Sequence, residues 1–408
     1  MFLTSSTLPF LIREWRFLLF GLLLTFWSGP GQTFVISLFG KQIRQDFLLS
    51  HSEYGALYTA GTLLSALCLW KAGPLVDRTP LRQIAFKMAV LMVVVTALFP
   101  FAFDLISLFL GIFALRFCGQ GMLNHISLTA MARRYENERG RALAIAGLGF
   151  PLAEALLPPL IVYGLAITQW QTLWYLLAAC MALTLLPLIP YLIVRTPDQD
   201  GGGASTADGQ REDQQTNWTR AQILKDGRFY LIAITPMMQS AAITAFFFHQ
   251  VFLIEEKNWS FGWWSLCFTF FAGFSLLGGV FSGILVDLFR ARRLVPFILL
   301  PLALGIYLFG QSEQSFMAAV IMSTLGFGAG MTNPVMSSLL PELYGTRHLG
   351  AIRAAATVVM VFGSALGPIL LGWALDAGFD IINISNSIAV AGLISGLLCY
   401  IAVKQDQP

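Results

Sequence analysis

GPLVDRTPLR, residues 73–82, is a short polar stretch wedged between two long apolar segments, and it returns at 283–293 as GILVDLFRARR. Gly73 matches Gly283, Leu75 matches Leu285, Asp77 matches Asp287 and Arg82 matches Arg292, all at an offset of 210 residues. A loop that recurs half a chain later with its charges in register implies a duplicated architecture. The offset holds beyond the loop, since Ser127 maps to Ser337, Gly140 to Gly350 and Pro158 to Pro368. The two halves therefore keep register from the second apolar segment to the fifth, without a net insertion.

With 56% hydrophobic and 12% charged residues and a mean hydropathy of +0.70, the chain is far from a soluble domain, in which roughly a quarter of residues are charged. Apolar segments of about 20 residues recur along almost the whole length, and each is long enough to cross a bilayer as a helix. A large soluble helical protein would need polar helix faces that these segments lack. Twelve spans are expected, at roughly 17–40, 53–72, 83–103, 105–131, 141–166, 170–194, 229–255, 261–286, 293–310, 314–340, 350–374 and 381–403. The fold class is an all-α membrane protein of two six-helix bundles, 1–195 and 229–408. They are joined by a polar linker at 196–228 that holds GGGASTADG and the run Arg211-Glu212-Asp213. The end of the linker, WTRAQILKDGR, reads as a short surface helix leading into span seven. Arg13 and Arg16 precede a long apolar run with no small-residue cleavage site after it, so that run reads as the first span rather than a secretory signal.

Basic residues set the orientation, because cytoplasmic loops accumulate them. With the N-terminus inside, 21 of the 25 Lys and Arg fall on that side, against Lys41, Arg44 and Lys257 outside and Arg116 within the membrane. Both termini and the linker are then cytoplasmic, as in a multi-pass protein of the cell inner membrane. The net charge of +3 forms no basic face of the kind that nucleic acid requires. Cys68, Cys118, Cys180, Cys267 and Cys399 all fall inside apolar segments without metal-like spacing, and read as reduced packing residues. HExxH, GxSxG and phosphate-loop motifs are missing from the sequence, and GFGAG at 326–330 lies inside a span, where close helix packing explains it. Neither an enzyme, a metal, a cofactor nor an ATP-driven pump is expected.

In its six-plus-six layout, its cytoplasmic linker and the G-x-L-x-D-R-x-x-x-R loop with its repeat, the sequence resembles the major facilitator superfamily. RFCGQG at 116–121 is similar to the arginine motif of that family's fourth span. GSALGP at 363–368 resembles its glycine-proline motif, which in the antiporters belongs to span five; here span five reads AEALLP at 153–158, without the glycines. RGRALAIAGLGFPLAEALLP (139–158) and PELYGTRHLGAIR (341–353) look like bacterial members near the oxalate and monocarboxylate porters. The resemblance implies a transporter with alternating access. It also implies a gating role for the loops, Asp77 facing the N-terminus of span eleven and Asp287 that of span five when the inner gate is closed. A helix N-terminus favours such an anion. Asp77, Arg78, Arg82, Asp287 and Arg292 are the expected gate, with Arg353 at the inner end of span eleven beside it. The plainer alternative is a pair of tight, charged turns that enforce topology.

Ionisable residues deep in a bilayer are costly and point to function. Arg116 lies 12 residues after Asp104, so about 18 Å into span four at 1.5 Å per residue. Counted as an α-helix, Gln120, Asn124 and Ser127 share its face; His125 points the other way. The competing role for Arg116 is a buried tie that fixes helix packing. Glu154 lies at a similar depth on span five, where the two side chains could form an ion pair that a proton or an anionic substrate breaks. Substrate competing for Arg116 would favour protonation of Glu154. His249, towards the outer end of span seven, is a second proton or substrate contact or a structural histidine. SGPGQT at 28–33 breaks span one at mid-membrane, as happens where backbone lines a cavity, and Gln32 and Gln239 are plausible substrate contacts.

The function expected is secondary active transport of a small organic solute, with protons as the coupling ion. Arg116 favours a carboxylate-bearing solute such as a monocarboxylate, because guanidinium matches carboxylate geometry. Proton-coupled efflux of a drug or metabolite is the alternative. A monomer in the lipid bilayer is expected.

Overall fold

In hydrocarbon, a backbone without water must satisfy its own hydrogen bonds, and an apolar segment does so as a helix. A computed structural model describes residues 7–135, 138–193, 218–345 and 347–404, and all twelve segments within them are helical. Linker residues 196–217, with the run at 211–213, lie outside the described residues. Span one runs over Thr7–Trp27 and continues in short pieces to Asp46; span two is His51–Ala72, span three Leu81–Leu98, and span four Leu105–Arg134 in three pieces. Span five is Arg139–Gly147 with Gly149–Leu165, span six Trp170–Leu192, span seven Gly227–Phe248 with Gln250–Glu256, and span eight Phe261–Leu266 with Phe268–Phe289. Spans nine to twelve are Leu300–Gln311 with its preceding turns, Met317–Tyr344, Leu349–Asp376 and Ile381–Lys404. Ten of the helices have the length and apolarity to cross a membrane unaided. The other two are span one, whose helix Thr7–Trp27 carries Arg13, Glu14 and Arg16, and span ten, whose Gly, Ser, Thr and Asn residues dilute its apolar character.

Contacts gather the chain into two compact units, Met1–Gln42 with Ala60–Ala207, and Ile43–Thr59 with Asp208–Pro408. The start of span two thus groups with the second unit, an excursion that the linker position alone does not suggest. In the first unit, span one packs on spans four, five and six, and span three on span six. Gly61 of span two approaches Ile112 and Phe113 of span four. In the second, span seven packs on eleven, nine on twelve and eight on ten. The pairings one–five, two–four and three–six therefore recur 210 residues later, as the repeat requires.

Small residues make these contacts possible, since apolar helices in lipid gain from close approach rather than from leaving water. A Cβ on Gly278, Gly326 or Gly330 would overlap the carbonyls of Phe327, Phe271 and Ser275, so spans eight and ten touch backbone to backbone. Outward-facing side chains are apolar, with Leu183 at 76% and Leu288 at 68% exposure, which suits a surface solvated by lipid chains. Cys118, Cys267 and Cys399 are buried as expected, whereas Cys180 is exposed on span six.

The linker's end forms the short helix Arg220–Ile223, capped by Thr219 and Gln222. Ile223 is buried with Phe229, Leu340, Tyr344 and Ile352, and the Trp218 N–H donates to Tyr344 O at 3.0 Å. This docks the linker's end onto the adjoining ends of spans seven, ten and eleven.

Candidate substrate and proton site

Span one is broken because of its sequence. Helix Thr7–Trp27 gives way to a single 3₁₀ turn at Gly29–Gly31, with Pro30 inside it, and Gln32 is extended at φ −95°, ψ 156°. Proline cannot donate and two glycines add no side-chain contacts, so helical continuity is lost. The break is buried, with Ser28 and Gly31 enclosed and Gln32 only 6% exposed. Its close neighbour is span four. A Cβ on Gly119 would lie 2.8 Å from Gly31 Cα and 2.9 Å from Ser28 O, so this glycine admits the broken backbone.

Arg116 reaches into the same break. Its Nη1 donates to Gly31 O at 3.1 Å and its Nε to Thr62 Oγ1 at 3.2 Å, in a fully buried setting. It therefore clasps spans one, two and four around a carbonyl that the 3₁₀ turn leaves exposed. Thr62 was not foreseen in the sequence. The face predicted on span four also changes, because Arg116–Leu123 is a π-helix and the α-helical count of residues per turn does not apply. Ser127 donates to Gly21 O at 2.8 Å and belongs to the packing of span one. Gln120 and Asn124 are half-buried and keep side-chain donors and acceptors without partners among the described residues.

Glu154 sits on span five with Ala153 and Leu157, which pack against Gly29 of the break. It is 5% exposed. The ion pair with Arg116 expected from their depths does not form: among the described residues Glu154 has neither ion pair nor hydrogen bond. The physical reason is that the Arg116 fork points at Gly31 O and Thr62 instead. Under the 210-residue offset, Arg116 maps onto Gly326 and Glu154 onto Ser364, so both intramembrane charges belong to one half.

The second unit offers a different polar set. Gln239, in mid-span seven, is 5% exposed, and neither its Oε1 nor its Nε2 has a hydrogen-bond partner among the described residues. Gly328 of span ten is beside it, leaving room at the amide. His249 is engaged structurally, since its Nε2 lies 2.8 Å from Pro368 O on span eleven. Gln250 accepts from Trp264 Nε1 at 2.8 Å and is fully buried. GSALGP is the seam that admits span seven: Gly363 meets Met237, Gly367 meets Ala241 and Ser364 bonds Thr244 at 3.1 Å.

The repeated loops do not fold alike. Helix ends at Ala72, Gly73 turns, and Leu75–Arg78 forms one short helical turn. In the second copy Gly283 and Asp287 are still inside helix Phe268–Phe289, and the turn comes at Arg290 with φ +65°. Asp77 pairs with Arg133 of span four, which also bonds Val76 O. In the second half the polarity is reversed, with Arg292 of the loop against Glu342 of span ten at 3.7 Å. Arg78, Arg82 and Asp287 are exposed, and Arg353 donates to Ser337 O at 3.2 Å. A further charged cluster was missed in the sequence: Glu14 accepts from Tyr135 Oη at 3.0 Å and pairs with Arg134 at 3.1 Å. Burial, then the neighbouring Glu14 carboxylate, pushes the Tyr135 hydroxyl above its ordinary range.

Two copies of a six-helix unit, with a broken helix beside a buried arginine and a buried carboxylate, are the build of a membrane transporter. The family model of the Major Facilitator Superfamily matches residues 18–368 and again 261–406, and the chain belongs to that family. It is similar to monocarboxylate transporter 13 of Bos taurus, at 27% identity over 309 residues, 72% of this chain and 66% of that protein. It is also similar to a multidrug resistance protein B homolog of Mycobacterium tuberculosis, at 31% identity over 128 residues, 31% of this chain and 23% of that protein. The chain thus spans less than two thirds of the length of either relative. Its fold is shared with the nucleoside transporter NupG (TM-score 0.75, 13% identity, 97% of this chain and 99% of that one). A bacterial homolog of the human lysosomal transporter Spinster shares it as well (TM-score 0.74, 13% identity, 96% and 97%).

Proposed function

We propose that the chain moves a small carboxylate-bearing solute across the cell inner membrane by alternating access, coupled to protons, with Glu154 as the proton-carrying group. The observation that carries this reading is Glu154 itself, enclosed in mid-span without a cation or hydrogen-bond donor among the described residues. A carboxylate in such a place is costly when charged, and protonation removes the cost. Arg116 supplies the opposite charge in the same unit. Its clasp on Gly31 O couples that charge to the break in span one, where Gln32 lies, while Gln120 and Asn124 are free to meet a solute. Gln239 is the corresponding polar contact of the second unit. His249, bonded to span eleven, serves packing in this reading. Asp77, Arg78, Arg82, Asp287 and Arg292 act at the cytoplasmic side, to which the 21 basic residues assign both termini. The likeness to a monocarboxylate transporter over 72% of the chain supports the carboxylate class, and a monomer suffices.

The test is uptake of radiolabelled lactate into proteoliposomes under an inward proton gradient. Gradient-driven accumulation is expected for the native chain. Glu154→Gln should abolish it while leaving exchange of internal for external lactate. If the variant still accumulates lactate in response to pH, Glu154 is not the proton site. The second reading, proton-coupled efflux of a drug or metabolite, is favoured by the match to the multidrug resistance homolog. It would gain if lactate shows no flux and expression raises drug tolerance.

A further inference from the structure

Asp376 ends span eleven on the side away from the basic loops, and for its own helix the charge is misplaced. A helix C-terminus carries partial negative charge and favours cations. The partner is another helix. The Asp376 carboxylate accepts the backbone N–H of His51 at 3.0 Å and that of Ser52 at 2.7 Å, the first two residues of span two. The adjoining amides are met locally: Ser50 N–H donates to Glu53 at 2.8 Å, and Glu53 N–H to Ser50 Oγ at 3.2 Å. All four amides have partners, and two of them depend on Asp376.

Below this contact the two helices meet backbone to backbone. A Cβ on Gly55 would lie 2.8 Å from Pro368 O, one on Gly372 would lie 2.6 Å from His51 O, and Thr59 donates to Ala365 O. A seam packed that closely has little room for partial separation. The repeat supplies no second copy. At the 210-residue offset Asp376 corresponds to Ala166 and His51 to Phe261, and the N-terminus of span eight is capped by its own Ser260.

We propose that Asp376 is a latch on the outer side, whose carboxylate must release the His51 and Ser52 amides for span two to leave span eleven during the transport cycle. This rests on the reading of the chain as an alternating-access transporter. The latch is a positioning residue: it holds one arrangement of the helices without touching substrate.

The experiment places a thiol in the seam with Thr59→Cys, at a position 8% exposed, and measures its modification by a membrane-impermeant maleimide in intact cells. Mass spectrometry resolves each cysteine separately. The rate at position 59 should rise several-fold with Asp376→Asn, which keeps one acceptor oxygen, and about tenfold with Asp376→Ala. The exposed Glu256→Gln should leave it unchanged, and the buried Cys399 of span twelve should stay unmodified throughout. Equal rates at position 59 in all backgrounds would overturn the latch. So would a rise matched at Cys399, which would mark general loosening. Labelling needs no substrate, so a wrong solute or coupling assignment appears only in the uptake assay.

Discussion

Removing the Arg116 side chain should destabilise the protein before it affects any solute. Arg116→Ala deletes two buried hydrogen bonds, to Gly31 O and Thr62 Oγ1, and leaves the carbonyl of the break without this donor. Hydrogen bonds from a charged group contribute about 1.5–3 kcal/mol each, and part of that returns as the site relaxes, so a loss of about 3 kcal/mol is expected. Arg116→Lys keeps the charge but can reach only one of the two acceptors with similar geometry, and should lose roughly half as much. Thermal unfolding of the detergent-purified protein would show this as a fall in Tm on the order of 5 °C for the alanine variant. Lactate-dependent stabilisation should disappear in the same variant, because the break that carries Gln32 loses its anchor. A Tm within a degree of the native value would refute the clasp, and would return Arg116 to the simpler role of an anion contact.

Gly330→Ala should lower stability by about 1–3 kcal/mol, since its new methyl meets the Ser275 backbone rather than a movable side chain. Gly283→Ala is the matched control: it lies in open space within a helix and should be neutral or stabilising by up to about 1 kcal/mol. The same melting assay reads both. Asp77→Asn breaks a pair whose two side chains are each 54% exposed, so its stability cost should be below about 1 kcal/mol. A fall in transport rate at unchanged Tm is then the expected gating signature. A variant with native transport would reduce the loop to a topological turn.

Much of the architecture was legible because it depends on period and length. The 210-residue echo, the twelve apolar segments and the break at SGPGQT all follow from which residue types recur and where. What could not be read depends on backbone detail. Gly73 and Gly283 look equivalent in sequence, yet one ends a helix and the other lies inside one, since the following residues 284–289 continue an apolar helix in the second half. The π segment at Arg116–Leu123 moved the side chains that a 3.6-residue period had aligned. Counting residues along their helices puts Glu154 and Arg116 at a similar depth and so suggests a pair, but the fork of Arg116 is claimed by a carbonyl that only the 3₁₀ turn exposes. Asp376 did leave a signal, an acid at the wrong end of a helix, which a charge-by-position reading of each span would have found.

The wide turn in span four has a mechanical consequence. A π turn is an α-helix holding one surplus residue, and that surplus can migrate along the helix while its ends stay fixed. Each residue that it passes swings by about 100° around the axis. Span four can thus exchange the side chains it presents, bringing Gln120 or Asn124 round in turn, without sliding against its neighbours. Span four would then act as a rotary element beside the break in span one.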